Sequence, residues 1–358
     1  MAWKFETLQI NLLCDEGARD EDVGDERETL PKVALEALSY ERTSDEIVKV
    51  LAFGSEAGKG IYDRIVEYDV KTRKWDRIFL MPQDLLGPKL YFGATATPLH
   101  DGRILVCSSY DDASHEEILF EVHITAIQPQ SFILDPRPEN AVGGRLAFEM
   151  LPVYDSRQFA CRSHASLVTL HNGKVLRVGG LLKQIYQNDG IAEFDPATKQ
   201  WTLVVPNNAP ADAFSVVLPN GRVLITGGRF RSEKSIKECL IYDPESRTFE
   251  KAASMKHERR RHTGCLLANG DVCVFGGMTT PANVTCELWS ASTGTWTVIS
   301  NEVRNQHSHC FRMPDNRIFM AGGHVQGCTI FNPETRHFRP ADEMPFRMLY
   351  PLIVGLTK

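Results

Sequence analysis

A diglycine recurs at a nearly constant interval through the C-terminal half of this 358-residue sequence. Each copy ends a short apolar run that opens with two turn residues, and the second turn residue always lies six positions before the first glycine. Such a constant register indicates one backbone unit repeated along the chain. The copies follow one another at intervals of 48, 49 and 46 residues: Gly179-Gly180, Gly227-Gly228, Gly276-Gly277 and Gly322-Gly323.

Each repeat predicts a small antiparallel sheet of four strands. Asn-Gly, or Asp-Asn in the last copy, separates two apolar runs and is typical of a two-residue hairpin turn. The glycines should permit close backbone approach near an axis. A polar loop then leads to a third strand, whose closing turn begins with Asp-Pro or Asn-Pro in three copies. A large aromatic residue follows in the fourth strand and should pack between units: Trp201, Phe249, Trp296 and Phe338.

A period near 50 residues with one sheet in each unit predicts an all-β propeller. Two degenerate copies precede the four clear ones. One runs from Ile47 to Trp75, and the other begins at His100 and carries an insertion.

The C-terminal run 348–356 is predicted to supply the inner strand of the blade that begins at residue 44. This arrangement closes the ring, removes its exposed sheet edges and gives six four-stranded blades. Seven blades remain an alternative. If 33–40 were that inner strand, 3–13 and 348–356 would form an incomplete seventh blade.

Composition divides the chain into an N-terminal extension at 1–43 and a single propeller domain at 44–358. Within the extension, residues 15–28 hold eight carboxylates and two arginines, which is typical of a solvated segment. Alternatively, this acidic segment attracts a basic partner. The net charge of −6 argues against a general nucleic-acid binder. No apolar run reaches the roughly 18 residues that a membrane span requires.

Cysteine usage and the N-terminus favour the cytoplasm. Cys239, Cys286 and Cys328 occupy one repeated place in successive third strands, so they are interpreted as small core residues that remain reduced. The first residues, with an early Glu6 and a short apolar run, make a poor secretory signal. We expect a cytoplasmic monomer.

The order of apolar strand, diglycine, loop, third strand with its turn, and Trp or Phe resembles the Kelch repeat across 44–357. It is also similar to the repeats of galactose-oxidase propellers. Gly-Ser and Ser-Ser replace the diglycine in the first two copies. The resemblance implies a Kelch-type β-propeller in which the loops, and not the blades, make the binding site. It also implies that arginines before the inner strands hold acidic peptides, as in similar proteins of the Kelch class.

Two sets of loops should emerge on one face of such a propeller, which we call the loop face: those leading into each first strand and those joining the second strand to the third. Aligned on the diglycine, Arg261 corresponds to His164, Asp212 and His307, which predicts a ring of polar groups around the channel mouth. Arginine forks bind carboxylates, and arginine with aromatic residues is typical of protein-binding surfaces. The predicted partner-binding residues are Arg162, His164, Tyr186, Arg229, Phe230, Arg231, Arg259, Arg260, Arg261, Arg304, His307 and His324.

In the alternative interpretation the basic residues have no binding role: they are solvated or pair with Glu233, Glu258 and Asp212. His307 and His309 share a strand face, but no third ligand has a recognisable spacing, so we predict no metal and no cofactor. The tyrosine, cysteine and histidine set of copper-radical oxidases has no counterpart that we can place.

Two functions follow. The first is a non-catalytic module that binds a protein or peptide, acidic in character, on the loop face, without nucleic acid or membrane. The alternative is an enzyme or small-molecule binder similar to propeller-type sugar mutarotases or lyase-like specifier proteins. Arginine, histidine and aspartate around one axis could transfer protons on a sugar. Because no catalytic motif occurs at a specific spacing, the sequence favours binding.

Overall fold

Six four-stranded antiparallel sheets form the blades of a closed ring, which confirms the predicted all-β propeller and its count of six. The extension at 1–43, including its acidic segment at 15–28, lies outside the described residues, and the domain boundary stays a prediction. The computed structural model of the chain describes residues 47–54, 61–62, 64–80, 90–91, 94–107, 131–141, 145–151, 164–182, 185–188, 190–206, 209–230, 234–278, 285–301, 303, 309–322, 327–345, 348 and 352–357.

Blades 1 to 3 come from the N-terminal half of the ring, and their strands are named from the innermost outward. Blade 1 consists of β28 (Leu352–Thr357), β1 (Ile47–Gly54), β3 (Arg64–Asp69) and β4 (Lys74–Leu80). Blade 2 consists of β6 (Thr95–Pro98), β7 (Ile104–Cys107), β8 (Ser131–Asp135) and β9 (Ala147–Met150). Blade 3 consists of β10 (Ser166–Thr169), β11 (Val175–Val178), β14 (Ile191–Asp195) and β15 (Gln200–Val205).

Blades 4 to 6 carry the clearest repeats. Blade 4 consists of β16 (Phe214–Val217), β17 (Val223–Thr226), β18 (Cys239–Asp243) and β19 (Thr248–Ala252). Blade 5 consists of β20 (Thr263–Leu266), β21 (Val272–Phe275), β22 (Cys286–Trp289) and β23 (Trp296–Ser300). Blade 6 consists of β24 (His309–Arg312), β25 (Ile318–Ala321), β26 (Cys328–Asn332) and β27 (His337–Ala341).

The described residues also form several short elements outside the six blades. Two short sheets pair β2 (Ile61–Tyr62) with β5 (Leu90–Tyr91), and β12 (Leu181–Leu182) with β13 (Ile185–Asn188). A 3₁₀ turn, Pro138–Asn140, lies between β8 and β9. Among the residues that the structure describes, no helix is long and apolar enough to cross a membrane.

Ring closure follows the predicted scheme. Strand β28 pairs antiparallel with β1, and Val354 lies opposite Leu51. The innermost strands of neighbouring blades contact one another in the order β28, β6, β10, β16, β20, β24 and back to β28. The C-terminus therefore supplies the inner strand of the blade that the N-terminal part of the domain begins.

The hairpin between the first two strands differs in detail from the predicted two-residue turn. In blade 4 the amide of Leu218 donates to the carbonyl of Arg222 at 2.8 Å, so three residues form the loop. Only the last of them, Gly221, is left-handed, with φ of 81°. This is the three-residue hairpin in which a glycine takes the left-handed position. The turn between the third and fourth strands is as predicted: the Asp243 carboxylate accepts a hydrogen bond from the Glu245 amide at 2.9 Å.

The core consists of buried apolar clusters between successive blades, and those found in the described part of the chain occupy all six interfaces. The predicted aromatic anchors lie in these clusters. Trp201 packs between blades 2 and 3, and Trp296 packs between blades 4 and 5, where its indole nitrogen donates to the Ala253 carbonyl at 2.9 Å. Cys239, Cys286 and Cys328 are buried free thiols, as expected of small core residues.

The diglycines hold the blades close together, as predicted. A Cβ added at Gly179 would lie 2.1 Å from the carbonyl oxygen of Pro210, which belongs to the next blade. At Gly228 it would lie 2.5 Å from the carbonyl oxygen of Ala211 in the same blade. The first glycine of the pair therefore leaves room for the segment that leads into the next blade. The second glycine leaves room for the segment that leads into its own blade.

Candidate functional site

Three side chains on the loop face come from equivalent places in blades 3, 4 and 5. His164, Asp212 and Arg261 each lie two residues before an innermost strand, and we call them the mouth residues. All three are left-handed, with φ of 58°, 57° and 52°. The alignment on the diglycine predicted this equivalence, and the shared backbone conformation supports it. A left-handed non-glycine residue costs about 1–2 kcal/mol, and such strain is concentrated at functional sites.

Backbone hydrogen bonds join the mouth residues from blade to blade. The Asp212 amide donates to the His164 carbonyl at 2.9 Å, and the Arg261 amide donates to the Asp212 carbonyl at 2.8 Å. The left-handed conformation aims each amide at the preceding blade. The repeat thus builds a hydrogen-bonded chain around this sector of the ring axis.

The Asp212 carboxylate is the centre of a charged cluster at this place. One oxygen accepts a hydrogen bond from Nε of Arg229 at 2.6 Å, and the other accepts one from Nε of Arg261 at 2.9 Å. Nδ1 of His164 lies 3.3 Å from the second oxygen. The Asp212 side chain is completely buried, and burial alone would raise its pKa. The electrostatic effects of His164, Arg261 and Arg229 outweigh this effect, so its pKa lies below the usual value.

The cluster fixes the tautomer of His164. Nη2 of Arg261 lies 3.1 Å from Nε2 of the imidazole. A guanidinium only donates, so Nε2 must accept this hydrogen bond, and the proton resides on Nδ1, where it faces Asp212. Two arginines and a neutral histidine therefore surround one carboxylate. Exposure differs between the arginines: the Arg229 side chain is 6% exposed, whereas that of Arg261 is 25% exposed.

Arg259 points inward, which differs from its predicted place on the binding surface. Its side chain has no exposed area, and its Nη2 donates to Oε1 of the equally buried Glu287 at 2.9 Å. Further hydrogen bonds reach the carbonyls of Gly276 and Thr285. Glu287 also accepts hydrogen bonds from the amides of Lys256 and His257. Arg259 therefore anchors the segment between blades 4 and 5.

Arg229 is also largely interior, because Asp212 draws its guanidinium into the cluster. The two arginine segments nevertheless lie side by side, since the Gly228 amide donates to the Arg259 carbonyl at 2.7 Å. Arg260 and Phe230 are partly exposed beside them. The loop-face surface of this sector is thus formed by Phe230, Arg260 and Arg261, and we call these three the arginine patch.

The remaining predicted site residues are outside what the structure describes. The backbone of Tyr186 lies in β13, and its side chain is not among the described ones. The others that fall outside the described residues are Arg162, Arg231, Arg304, His307 and His324.

Sequence reasoning missed several buried charges, among them Arg177 and Glu287. Arg177 lies in β11, where the other clear repeats have Ile225, Val274 or Met320, and its Nη1 donates to the Gly179 carbonyl at 2.7 Å. Arg177 interrupts an otherwise apolar strand, and this interruption was the sequence signal for a buried charge. The role of Glu287 could not be read in this way, because it depends on Arg259 in the segment between blades 4 and 5.

No group of three or more potential metal ligands occurs in the part of the chain that the structure describes. His262, which precedes β20, is buried, and its Nε2 lies 2.8 Å from the Thr226 hydroxyl. Burial and the charge of Arg259 lower the pKa of His262 to about 3. It is therefore a neutral core histidine at ordinary pH.

Six meandering sheets, inter-blade packing and a polar mouth on the loop face define the chain as a six-bladed β-propeller. The Kelch motif family model matches residues 211–256, a stretch that runs from the mouth of blade 4 to the start of blade 5. Together with the repeat and the ring, this match supports a Kelch-repeat β-propeller. Propellers of this kind are commonly protein-interaction modules.

Two curated proteins show sequence similarity to part of the chain. The tRNA wybutosine-synthesizing protein 4 of Saccharomyces cerevisiae is 27% identical over 131 residues, which are 35% of this chain and 19% of that protein. Kelch-like protein 36 of Bos taurus is 23% identical over 190 residues, which are 52% of this chain and 30% of that protein. The chain thus spans less than a third of the length of either relative.

Proposed function

We propose that this propeller is a non-catalytic module that binds a protein segment, acidic in character, on its loop face. The single observation that carries the proposal is the arrangement at Asp212, where two guanidiniums meet one buried carboxylate and one of them reaches the surface. Arg261 is held by Asp212 at its Nε edge and is a quarter exposed. A guanidinium oriented in this way is suited to a partner carboxylate.

The arginine patch has the composition of a protein-binding surface. Phe230 supplies partly exposed apolar area on the segment beside that of the two arginines, and arginine with aromatic residues is enriched where partners bind tightly. The left-handed backbone of Arg261 and its hydrogen bond to the Asp212 carbonyl pre-organise the side chain. Pre-organisation reduces the entropy lost on binding. The Kelch-type fold and the bovine relative support a protein partner in general.

The test is affinity capture with the purified chain as bait, compared with the variant Arg260→Ala/Arg261→Ala. The matched control is Arg247→Ala/Arg336→Ala, which removes the same charge from two exposed arginines on the opposite face; both are left-handed, with φ of 58° and 60°. We expect the patch variant to lose a defined protein that the control retains. Loss in both variants, or retention in both, would contradict a specific role for the patch.

The structure changes which arginines should be replaced in this test. Arg229 and Arg260 both belong to the predicted partner-binding residues. Arg229 is buried against Asp212, so its replacement would also disturb the fold. Arg261 has the exposed guanidinium and is therefore the better choice.

One observation favours a second candidate, acid–base chemistry on a small molecule. His164 places its Nδ1 proton towards Asp212, so Nε2 carries the lone pair that a general base requires; this lone pair accepts from Arg261, and a substrate would have to displace that guanidinium. The yeast relative is named for tRNA wybutosine synthesis, so tRNA belongs among the probes together with sugars. Thermal stabilisation by one of these probes, lost in Asp212→Asn, would favour this candidate. Absence of any stabilisation would remove it.

A further inference from the structure

The hydrogen bond between Arg261 and His164 exists in only one protonation state of the imidazole. Nη2 of Arg261 donates to Nε2 at 3.1 Å, and a proton on that nitrogen, the second on the ring, would set two donors and two positive charges against each other. His164 cannot withdraw, because its side chain is only 8% exposed and its backbone is fixed in the blade-to-blade chain. Arg261 is the member with a route to solvent.

Protonation of His164 is compatible with the rest of the cluster. Nδ1 of the imidazole faces the Asp212 carboxylate at 3.3 Å, and an imidazolium keeps that contact with a stronger charge. Asp212 would still hold Arg229 through its other oxygen at 2.6 Å. The added proton therefore repels Arg261 and leaves the contacts of Asp212 with His164 and Arg229 in place.

We propose that His164 is a positioning residue that makes partner capture pH-sensitive: a proton on its Nε2 releases the Arg261 guanidinium towards a partner carboxylate, so that capture tightens as the pH falls. The inference rests on the proposed function, because it assigns a regulation to the same site. By reciprocity, a carboxylate that draws Arg261 away from the imidazole frees Nε2 to take up a proton.

Within the described part of the chain, the charged groups around His164 come from three segments. Asp212 approaches from the segment before β16, Arg261 from the segment before β20, and Arg229, after β17, acts through Asp212. Arg162 and His307 are near in sequence or aligned by the repeat, and both are outside the described residues. His307→Gln therefore serves as an additional variant, to assign the pH response to one histidine.

The binding test uses a rhodamine-labelled oligo-aspartate peptide, whose carboxylates stay ionised across the histidine range, and an oligo-asparagine peptide as control. Affinity is measured from about pH 7.5 to about pH 5.5, the range in which histidine titrates. Calorimetry in buffers of different ionisation enthalpy measures the protons taken up on binding.

His164→Asn is the informative variant. Asparagine tolerates a left-handed backbone, and its amide nitrogen replaces Nδ1 as a donor to Asp212 without titrating. His337→Asn, on the exposed outer strand β27, is the matched control. We expect wild type, His307→Gln and His337→Asn to bind roughly threefold to tenfold more tightly at the lower pH with proton uptake, and His164→Asn to show neither change.

A measurement without ligand separates the possible failures. Imidazole ¹⁵N NMR of the free chain should show the Nδ1-protonated tautomer for the signal that disappears in His164→Asn. The other tautomer would overturn the inference whatever the binding data show. The expected tautomer with pH-independent binding would also overturn it but leave the proposed function intact. Absence of peptide binding at every pH would overturn the acidic-partner proposal and this inference with it.

Discussion

At the scale of single residues, charged side chains serve two different purposes in this propeller. Arg259 and Glu287 are both fully buried, and together they tie the segment between two blades to the third strand of blade 5. Arg261 instead combines an internal contact with an exposed guanidinium. Burial and the position of the nearest carboxylate separate a structural arginine from one available to a partner.

We predict that Glu287→Gln destabilises the fold strongly. Removing one charge of a buried ion pair leaves the other uncompensated, which costs about 3–5 kcal/mol. Glu250→Gln is the control, because Glu250 is 65% exposed and pairs with Arg222 at 2.9 Å. An exposed pair of this kind contributes less than about 1 kcal/mol. Urea unfolding of both variants gives the comparison, and equal effects would contradict the structural role of Glu287.

We predict that His262 makes stability fall as the pH is lowered from 6.5 towards 3. Its pKa decreases from 6.5 to about 3 on folding, so in this window the unfolded chain binds a proton that the folded chain does not. Between pH 6.5 and about pH 5, this histidine should remove about 2 kcal/mol of unfolding free energy. Urea unfolding at the two pH values measures the loss, which should be smaller in His262→Gln. An equal loss in the variant would refute the assignment.

At the scale of elements, each blade depends on hairpins whose glycines have separate tasks. The turn glycines supply a left-handed residue in open space, as at Gly102, where an added Cβ would meet nothing within 4 Å. The diglycines instead leave room for neighbouring backbone. A stability comparison can distinguish these two tasks.

We predict that Gly228→Ala is much more destabilising than Gly102→Ala. Both glycines are left-handed, with φ of 93° and 81°, so the conformational cost of about 1–2 kcal/mol is shared. Only at Gly228 would the new methyl group clash with backbone, 2.5 Å from the Ala211 carbonyl oxygen. Thermal unfolding of the two variants measures the difference. Similar melting temperatures would show that close approach is not the reason for the diglycine.

At the scale of the whole molecule, the propeller is closed by strand β28, which the C-terminus adds to blade 1. Val354 on this strand packs in the cluster between blades 1 and 2. Without β28, strand β1 would lose its inner partner and the ring would have an exposed edge.

We predict that truncation after residue 345 prevents the ring from closing and makes the chain prone to proteolysis and aggregation. A synthetic peptide of residues 346–358 should restore protease resistance in trans, because it supplies the missing strand. The same peptide with Val354→Asp should not, since the carboxylate would be buried among apolar residues. A truncated chain that remains fully protease-resistant would refute closure by β28.

Much of the fold could be predicted because its signals are local. Turn residues, apolar runs and glycines repeat at a fixed spacing, and they indicated the strands, the closing strand and the equivalence of His164, Asp212 and Arg261. The three-residue hairpin loop was missed, since only the hydrogen bonds at its base distinguish it from a two-residue turn.

The sequence alone predicted the repeat, six blades with seven as the alternative, and the equivalence of His164, Asp212 and Arg261, because these signals lie within about 50 residues of one another. The sequence did not distinguish buried arginines from arginines that reach the surface. Asp212 and Arg261 are 49 residues apart, and Arg259 and Glu287 are 28 apart. Which guanidinium is buried and which reaches the loop face depends on carboxylates that only the packing of neighbouring strands and blades brings within hydrogen-bonding distance.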